Sequence, residues 1–261
     1  MSVTHDVRSL PRQRAGEEAG AFVIRGMDEH LARDTVWDPH SHSFGELVWN
    51  ERGASTATIG SRRFTITPAV GLWIPAGTVH SAHARAGTWF RAAQVAVGSA
   101  PMPSSPVAVE ITDLLHLLLV RLDEQLAPGS RAICEAMILD LLTPAAGQSE
   151  VRLPGSDLLS PIVATVTRDP ADARTLGEWA AQQGVSTKTL SRAFEKDAGM
   201  TFGRWVAAVR AERAIHMLAA GELPEDVAEA VGYRSVSAFG AAFRRTTGRT
   251  PGAFRSAPTA P

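Results

Sequence analysis

The chain has 261 residues, 44% of them apolar and 20% charged, with a formal net charge of −1 and a single cysteine, Cys134. That length predicts two domains, the apolar content rules out wholesale disorder, and the near-neutral balance excludes a uniformly basic nucleic-acid coat. One cysteine excludes a disulfide framework; with no apolar run of membrane-spanning length and no basic-then-apolar leader at Met1–Asp6, a cytoplasmic protein that does not engage a membrane is expected.

The overall charge hides an asymmetry. Ser186–Arg255 carries eleven Lys/Arg against seven Asp/Glu, a local +4, while the residues before Gly155 carry 13 against 16, a local −3. A negatively charged partner is therefore sought in the C-terminal part.

From about Val36 to Val97 the chain reads as short strands with turn punctuation. Ser55–Ile59 and Arg62–Ile66 flank a Gly60-Ser61 hairpin turn, and Pro75-Ala76-Gly77 and Arg85-Ala86-Gly87 mark further turns, a spacing that predicts a sandwich or small barrel. Within it His40 and His42 share strand parity, as does Glu46 if the strand runs unbroken, and His80 arrives from another strand after a tight turn. Three imidazoles and a carboxylate facing one cavity would suit a divalent transition metal such as zinc, nickel, iron or manganese; the same histidines could equally line an organic-ligand pocket. His83, of opposite parity to His80, is expected outside the barrel. Trp49, Trp73 and Trp89 are expected to be packing residues rather than pocket walls.

After Pro106 the pattern becomes helical. Leu115, Leu118 and Leu122 form a stripe that a small barrel need not cover, so the helices between Ile111 and Leu142 are expected to make a homodimer. Cys134 falls in the second of these helices as an ordinary core residue. Residues 145–157, rich in Pro, Gly and polar side chains, are read as a linker between residues 1–144 and 158–261.

Beyond the linker everything reads as helix. Thr175-Leu176-Gly177-Glu178 fits a capping box opening a helix to Gln183; Gly184 permits a turn, and Ser186 caps a second helix with Leu190 and Phe194 inward. The same grammar recurs at Val227–Tyr233, followed by Ser235 and a helix with Phe239 and Phe243 inward. Between the two runs a long helix, Phe202 to Ala219, with Ala207, Ala211, Ala214 and Leu218 on one face. Two helix-turn-helix units are the expected result. On the first recognition helix, Thr187, Lys188, Ser191 and Arg192 remain outward; on the second, Val236, Ser237, Gly240 and Ala241.

These residues carry two resemblances. Leu158 to Arg255 resembles the DNA-binding domain of the AraC/XylS family, most specifically through Val231-Gly232-Tyr233, Phe239, Phe243-Arg244-Arg245, Gly248 and Thr250-Pro251, with Arg210-Ala211, Ala214 and Leu218 upstream; Pro224 departs from the usual aliphatic residue. The resemblance implies base reading from Lys188, Ser191 and Arg192, with Thr187 on the same face. It leaves Arg234, Arg244, Arg245 and Arg249 to the phosphate backbone, beside Ser235 and Ser237. His40, His42 and Glu46, with the Trp73-Ile74-Pro75-Ala76-Gly77-Thr78 run and His80, resemble the two motifs of the cupin barrel, although Ala84 stands at the final Asn position of the second. The implied fold is α+β: a cupin-like barrel plus helices, then an all-α domain with two helix-turn-helix units. The implied function is a DNA-binding transcriptional regulator modulated by a small ligand or metal, with promoter DNA, RNA polymerase and a second copy as partners. A metal-dependent cupin enzyme, dioxygenase-like and fused to a DNA-binding module, is the alternative.

Overall fold

The structure is a computed structural model that describes residues 5–16, 23–145 and 150–255. Residues 146–149 of the expected linker and 256–261 of the expected DNA-binding domain lie outside the described residues, as do 1–4 and 17–22. The chain divides into two compact units, one comprising Met1–Gly60 and Phe64–Ala146, the other Ser61–Arg63 and Gly147–Pro261. Among the described residues no helix is long and apolar enough to cross a membrane.

The first unit is built from β1 (Asp6–Arg8), β2 (Ile24–His30), β3 (Thr35–His40), β4 (Gly45–Arg52), β5 (Ser55–Ile59), β6 (Arg62–Ile66), β7 (Val70–Ile74), β8 (His80–Ala84), β9 (Trp89–Val95) and β10 (Val107–Glu110), followed by α1 (Asp113–Arg121) and α2 (Pro128–Leu141). One sheet runs β1-β3-β8-β5-β6 and the other β10-β7-β4-β9-β2. The Gly60-Ser61 turn closes the β5–β6 hairpin as the sequence predicts, with Gly60 at φ +58. Fully buried Asn50 donates through Nδ2 to Ser55 Oγ at 3.0 Å and to the Ile66 carbonyl at 2.9 Å, so β4 is tied to that hairpin.

Strand β4 is the central element, paired antiparallel to β7 on one side and β9 on the other. Its side chains alternate between two apolar environments. Val48 packs with Ala57, Phe64, Ile66, Leu72 and Ile74, while Leu47 and Trp49 pack with Trp73, Val95, Leu115, Leu119 and Ile138. Helices α1 and α2 thus cover one face of the second sheet. Thr112 caps α1 by accepting the Leu115 N–H, with Asp113 in the first turn and Arg121 in the last, both favourable to the helix dipole.

This packing corrects one expectation. The stripe assigned to a dimer contact turns inward: Leu115 and Leu122 are buried and Leu118 is half-buried, because the apolar back of β4 and β7 needs covering. The exposed leucines of α1 are Leu114 and Leu117, with Ile133 and Met137 exposed on α2. Cys134 is buried as expected, its thiol donating to the Leu118 carbonyl. Trp49 and Trp73 are core residues, and Trp89 stacks on His30 with ring centroids 4.2 Å apart.

In the second unit, Glu150–Arg152, inside the expected linker, form β11; of the Ser61–Arg63 segment that belongs to this unit, Arg62 pairs with Glu150 at 2.6 Å and Arg63 with buried Glu212. Six helices follow: α3 (Ser160–Arg168), α4 (Leu176–Gln182), α5 (Thr187–Ala198), α6 (Phe202–Ala219), α7 (Pro224–Ala230) and α8 (Val236–Thr247). The capping box at Thr175 and Glu178 is present in both directions. Pro224, the departure noted in the sequence, sits at the start of α7, where its missing N–H removes no helical hydrogen bond. The repeat is visible in three dimensions: α4 and α7 have seven residues each, α5 and α8 twelve each, and both longer helices end on left-handed glycines, Gly199 and Gly248.

Candidate metal centre and DNA-facing helices

Between the two sheets of the first unit lies a cavity of about 80 Å³, lined on its apolar side by Trp37, Val48, Ile66, Ile74 and Phe90 and on its polar side by His40, His42, Glu46 and His80. One water needs about 10–15 Å³ on this scale, so there is room for several waters or one small organic molecule.

Each polar group reaches the cavity by a different local device. A register shift between Trp37 and His40, at a segment containing Pro39, lets both face inward although their numbers differ in parity. His40 stands opposite His80 in the β3–β8 pairing. The expectation that one unbroken strand carries His40, His42 and Glu46 is corrected: β3 ends at His40, and His42 belongs to the connection before β4. His42 is held there by Phe44, whose ring stacks on it at 5.0 Å and 10°. The Pro75–Thr78 turn, with Gly77 at φ +75, returns a hydrogen bond from Gly77 N–H to the His42 carbonyl at 2.8 Å. Glu46 faces inward because it shares β4 parity with Val48.

The three imidazoles present ring nitrogens within 4.8 Å of one another. Glu46 Oε2 lies 3.6 Å from His42 Nε2 and 3.8 Å from His80 Nε2. His40 Nδ1 bonds the Asp38 carbonyl at 2.6 Å and His80 Nδ1 the Thr78 carbonyl at 3.0 Å. A carbonyl accepts only, so Nδ1 carries the proton in both rings and each Nε2 keeps a lone pair. The four-residue set from the sequence is thus brought together. Trp37, Phe90 and Gln94 were missed; the β9 residues Phe90 and Gln94 share parity, and Gln94 stands opposite Glu46.

Burial sets the protonation of this cluster. It pushes His42 and His80 down to about 4, helped by neighbouring histidines, and pushes Glu46 up to about 7. The lowered histidines bind fewer protons folded than unfolded, so their contribution to stability grows as pH rises from about 4 to 6.5. Glu46 acts oppositely, since its folded carboxyl keeps a proton that the unfolded chain gives up above 4.5. In the metal-free protein, Glu46→Gln should therefore steepen the rise of unfolding free energy between about pH 5 and 6, by roughly 1 kcal/mol per pH unit. Urea titrations of both proteins across that range check it, and parallel profiles would show that Glu46 does not change protonation on folding.

In the second unit the recognition helices are fixed from behind. On α5, Leu190 and Phe194 are buried, the latter against Trp205 of α6 at 5.5 Å; on α8, Phe239 and Phe243 are buried, their rings tilted against each other, with Phe254 edge-on to Phe243. Thr187, Lys188 and Arg192 are exposed and Ser191 is half-buried; Arg234, Ser235, Ser237, Arg244 and Arg245 are exposed and Arg249 is half-buried. Ser235 Oγ accepts the Ala238 N–H, which commits one of its two lone pairs to the cap and leaves its proton to donate. Exposed Lys196 extends Lys188 and Arg192 along one edge at i, i+4 spacing, a series the sequence reading overlooked. Arg210 is structural: its guanidinium donates to the Pro170 and Asp172 carbonyls and lies 5.4 Å from the Tyr233 ring. Gly232, at φ +81, admits no side chain, for a Cβ would stand 2.9 Å from Ala171 Cα.

Residues 22–159 match the family described as the AraC-like ligand binding domain, and residues 179–257 match a helix-turn-helix domain family. The HTH-type transcriptional regulator NimR of Escherichia coli (strain K12) is 27% identical over 249 residues, covering 92% of this chain and 89% of NimR. The HTH-type transcriptional regulator RipA of Corynebacterium glutamicum is 39% identical over 102 residues, covering 39% of this chain and 31% of RipA. A solved structure of ToxT from Vibrio cholerae covers 88% of this chain and 96% of its own at 10% identity, with a TM-score of 0.36. With the ligand-binding family spanning more than half of its length and the paired helix-turn-helix units following, the chain belongs to the AraC family of transcriptional regulators, with a ligand-binding domain and a DNA-binding domain.

Proposed function

We propose that the cavity of the ligand-binding domain, read as a cupin-type site, holds one divalent transition metal through His40, His42, His80 and Glu46, and that a small effector in the adjoining apolar space changes how the regulator engages its promoter. The observation that carries this is the backbone bonding of His40 and His80. Their Nδ1 atoms are occupied by carbonyls, an outer arrangement typical of metal-ligating histidines, so that the Nε2 lone pairs are free for a cation. Zinc, nickel, iron and manganese all accept such a nitrogen and oxygen set. The metal would hold the effector's polar group, while Trp37 and Phe90 supply apolar contact. In this reading the protein is a regulator and not an enzyme; oxygen uptake by the metal-loaded protein with candidate substrates would turn it toward the dioxygenase alternative. His40→Ala and His80→Ala should each abolish retention of the cavity metal while leaving the far-ultraviolet circular dichroism unchanged, as expected for a site that does not staple the fold. Protein purified without chelators that carries no metal would leave the histidines as walls of an organic-ligand pocket.

On DNA, we propose that α5 reads bases and α8 anchors. Lys188, Ser191 and Arg192 can donate to base edges, whereas Val236, Gly240 and Ala241 offer at most contact with a thymine methyl, and Arg234, Arg244 and Arg245 reach phosphates. Arg192→Ala should cost about 1–3 kcal/mol on the cognate operator and relax preference at one or two base pairs. Arg244→Ala should weaken cognate and random DNA alike and lower the salt slope by about one. Binding titrations on both DNAs at several salt concentrations decide between reader and anchor, and the opposite pattern would reverse the assignment.

The homodimer is proposed on a different face from the one the leucine spacing indicated. Leu114 and Leu117 of α1 and Ile133 and Met137 of α2 are large apolar side chains left in solvent by the ligand-binding domain, and a second copy would bury them. Sedimentation of the full chain at tens of micromolar, about the range in which weak dimers form, should show a dimer that Leu117→Glu converts to monomer. A wild-type monomer there would overturn the proposal.

A further inference from the structure

We propose that His5, Asp34 and His83 form a second metal site, on the outer face of the first sheet, which takes a zinc-class divalent cation and staples β1 to its neighbours. His5 and Asp34 stand immediately before β1 and β3, and His83 lies on the neighbouring β8. Asp6 stands opposite Thr35 in the parallel β1–β3 pairing, Thr35 opposite Ala84 and Val36 opposite His83 in the antiparallel β3–β8 pairing. His5, Asp34 and His83 therefore fall together at one end of the sheet. Along β8, His80 and Ala82 line the cavity, which sends His83 to the opposite face. This site and the cavity site are thus separated by the sheet itself.

The donors suit a first-row divalent cation: two imidazole nitrogens and one carboxylate oxygen, all within 4.8 Å of one another. A closed tetrahedral set has donors about 3.3 Å apart, given metal–nitrogen bonds near 2.0–2.1 Å. The remaining approach falls to His5, which is exposed. Asp34 is already oriented, its Oδ1 accepting the Ala86 N–H at 2.9 Å, which leaves Oδ2 for a cation. Its backbone carbonyl accepts the Asp6 N–H at 2.9 Å and brings His5 alongside. The two rings approach edge-on, with centroids 6.5 Å apart at 69°, and among the described residues neither has a hydrogen-bond partner that would occupy its nitrogens. A strand of only three residues, paired on one side, gains most from such a staple.

The site is tested by counting zinc on the full chain, stripped with a chelator and titrated against a chromophoric competitor. In a His40→Ala/His80→Ala background, which removes two of the four cavity donors and with them the cavity site, one equivalent should remain, His83→Ala should remove it, and His5→Ala should weaken it. The result is independent of whether the cavity holds metal. If circular dichroism shows that background unfolded, the comparison is made between the wild-type chain and His83→Ala alone, where the stoichiometry must fall by one. No bound zinc in the folded background, or a stoichiometry unchanged by His83→Ala, overturns the proposal.

Discussion

The double burial of β4 is the constraint on which the ligand-binding domain depends. A strand with water on one face needs only one apolar set of side chains, but β4 has the helices behind it and the cavity in front. Its period of two therefore divides Leu47 and Trp49 from Glu46, Val48 and Asn50, and only the second group can touch a ligand. Of these, Asn50 is consumed by the β5–β6 hairpin and Val48 by packing, so Glu46 is the residue left to do chemistry. Burying a carboxyl there is costly, which is why its pKa rises, and a cation nearby would offset that cost.

The imidazoles facing Glu46 show how backbone groups prepare a side chain. Both His40 and His80 bond the carbonyl of the residue two positions earlier, a contact available because each stands next to an irregularity: the register shift in β3 and the turn before β8. Regular pairing would have directed those carbonyls into the ladder. The irregular segments are thus what fixes the tautomer and turns the free nitrogens into the cavity.

In the DNA-binding domain α6 plays the organising part. Its Trp205 packs on α5 through Phe194, and its Arg210 ties the loop before α4 to Tyr233 at the start of the second unit's turn. An arginine in a basic segment is easily credited to DNA; here the guanidinium is spent on two carbonyls and a ring. The positive balance of this domain overstates its phosphate-binding capacity by at least that residue. Lys188, Arg192 and Lys196 remain as a continuous cationic edge on α5, while the corresponding face of α8 is small and apolar, an inequality that follows from residue type alone.

What the sequence determined by itself was local. The Gly60-Ser61 hairpin, the capping box at Thr175, the turn at Gly184 and the bounds of α6 at Phe202 and Ala219 all follow from contacts within a few residues, and each stands where it was expected. The two helix-turn-helix units were legible for the same reason, since buried Leu190, Phe194, Phe239 and Phe243 repeat at helical spacing. Only the tertiary structure decided matters that depend on which strand lies beside which. Strand parity put His40, His42 and Glu46 together for a reason that does not hold, because a register shift and the end of β3 intervene; β3–β8 pairing, the ring of Phe44 and the parity of β4 assemble them instead. Likewise the leucine spacing of α1 announced an apolar stripe but not its direction, which was set by the uncovered back of β4 and β7 from far along the chain. Periodicity reports that a face is apolar; what covers that face is a long-range fact, and a single sequence does not contain it in readable form.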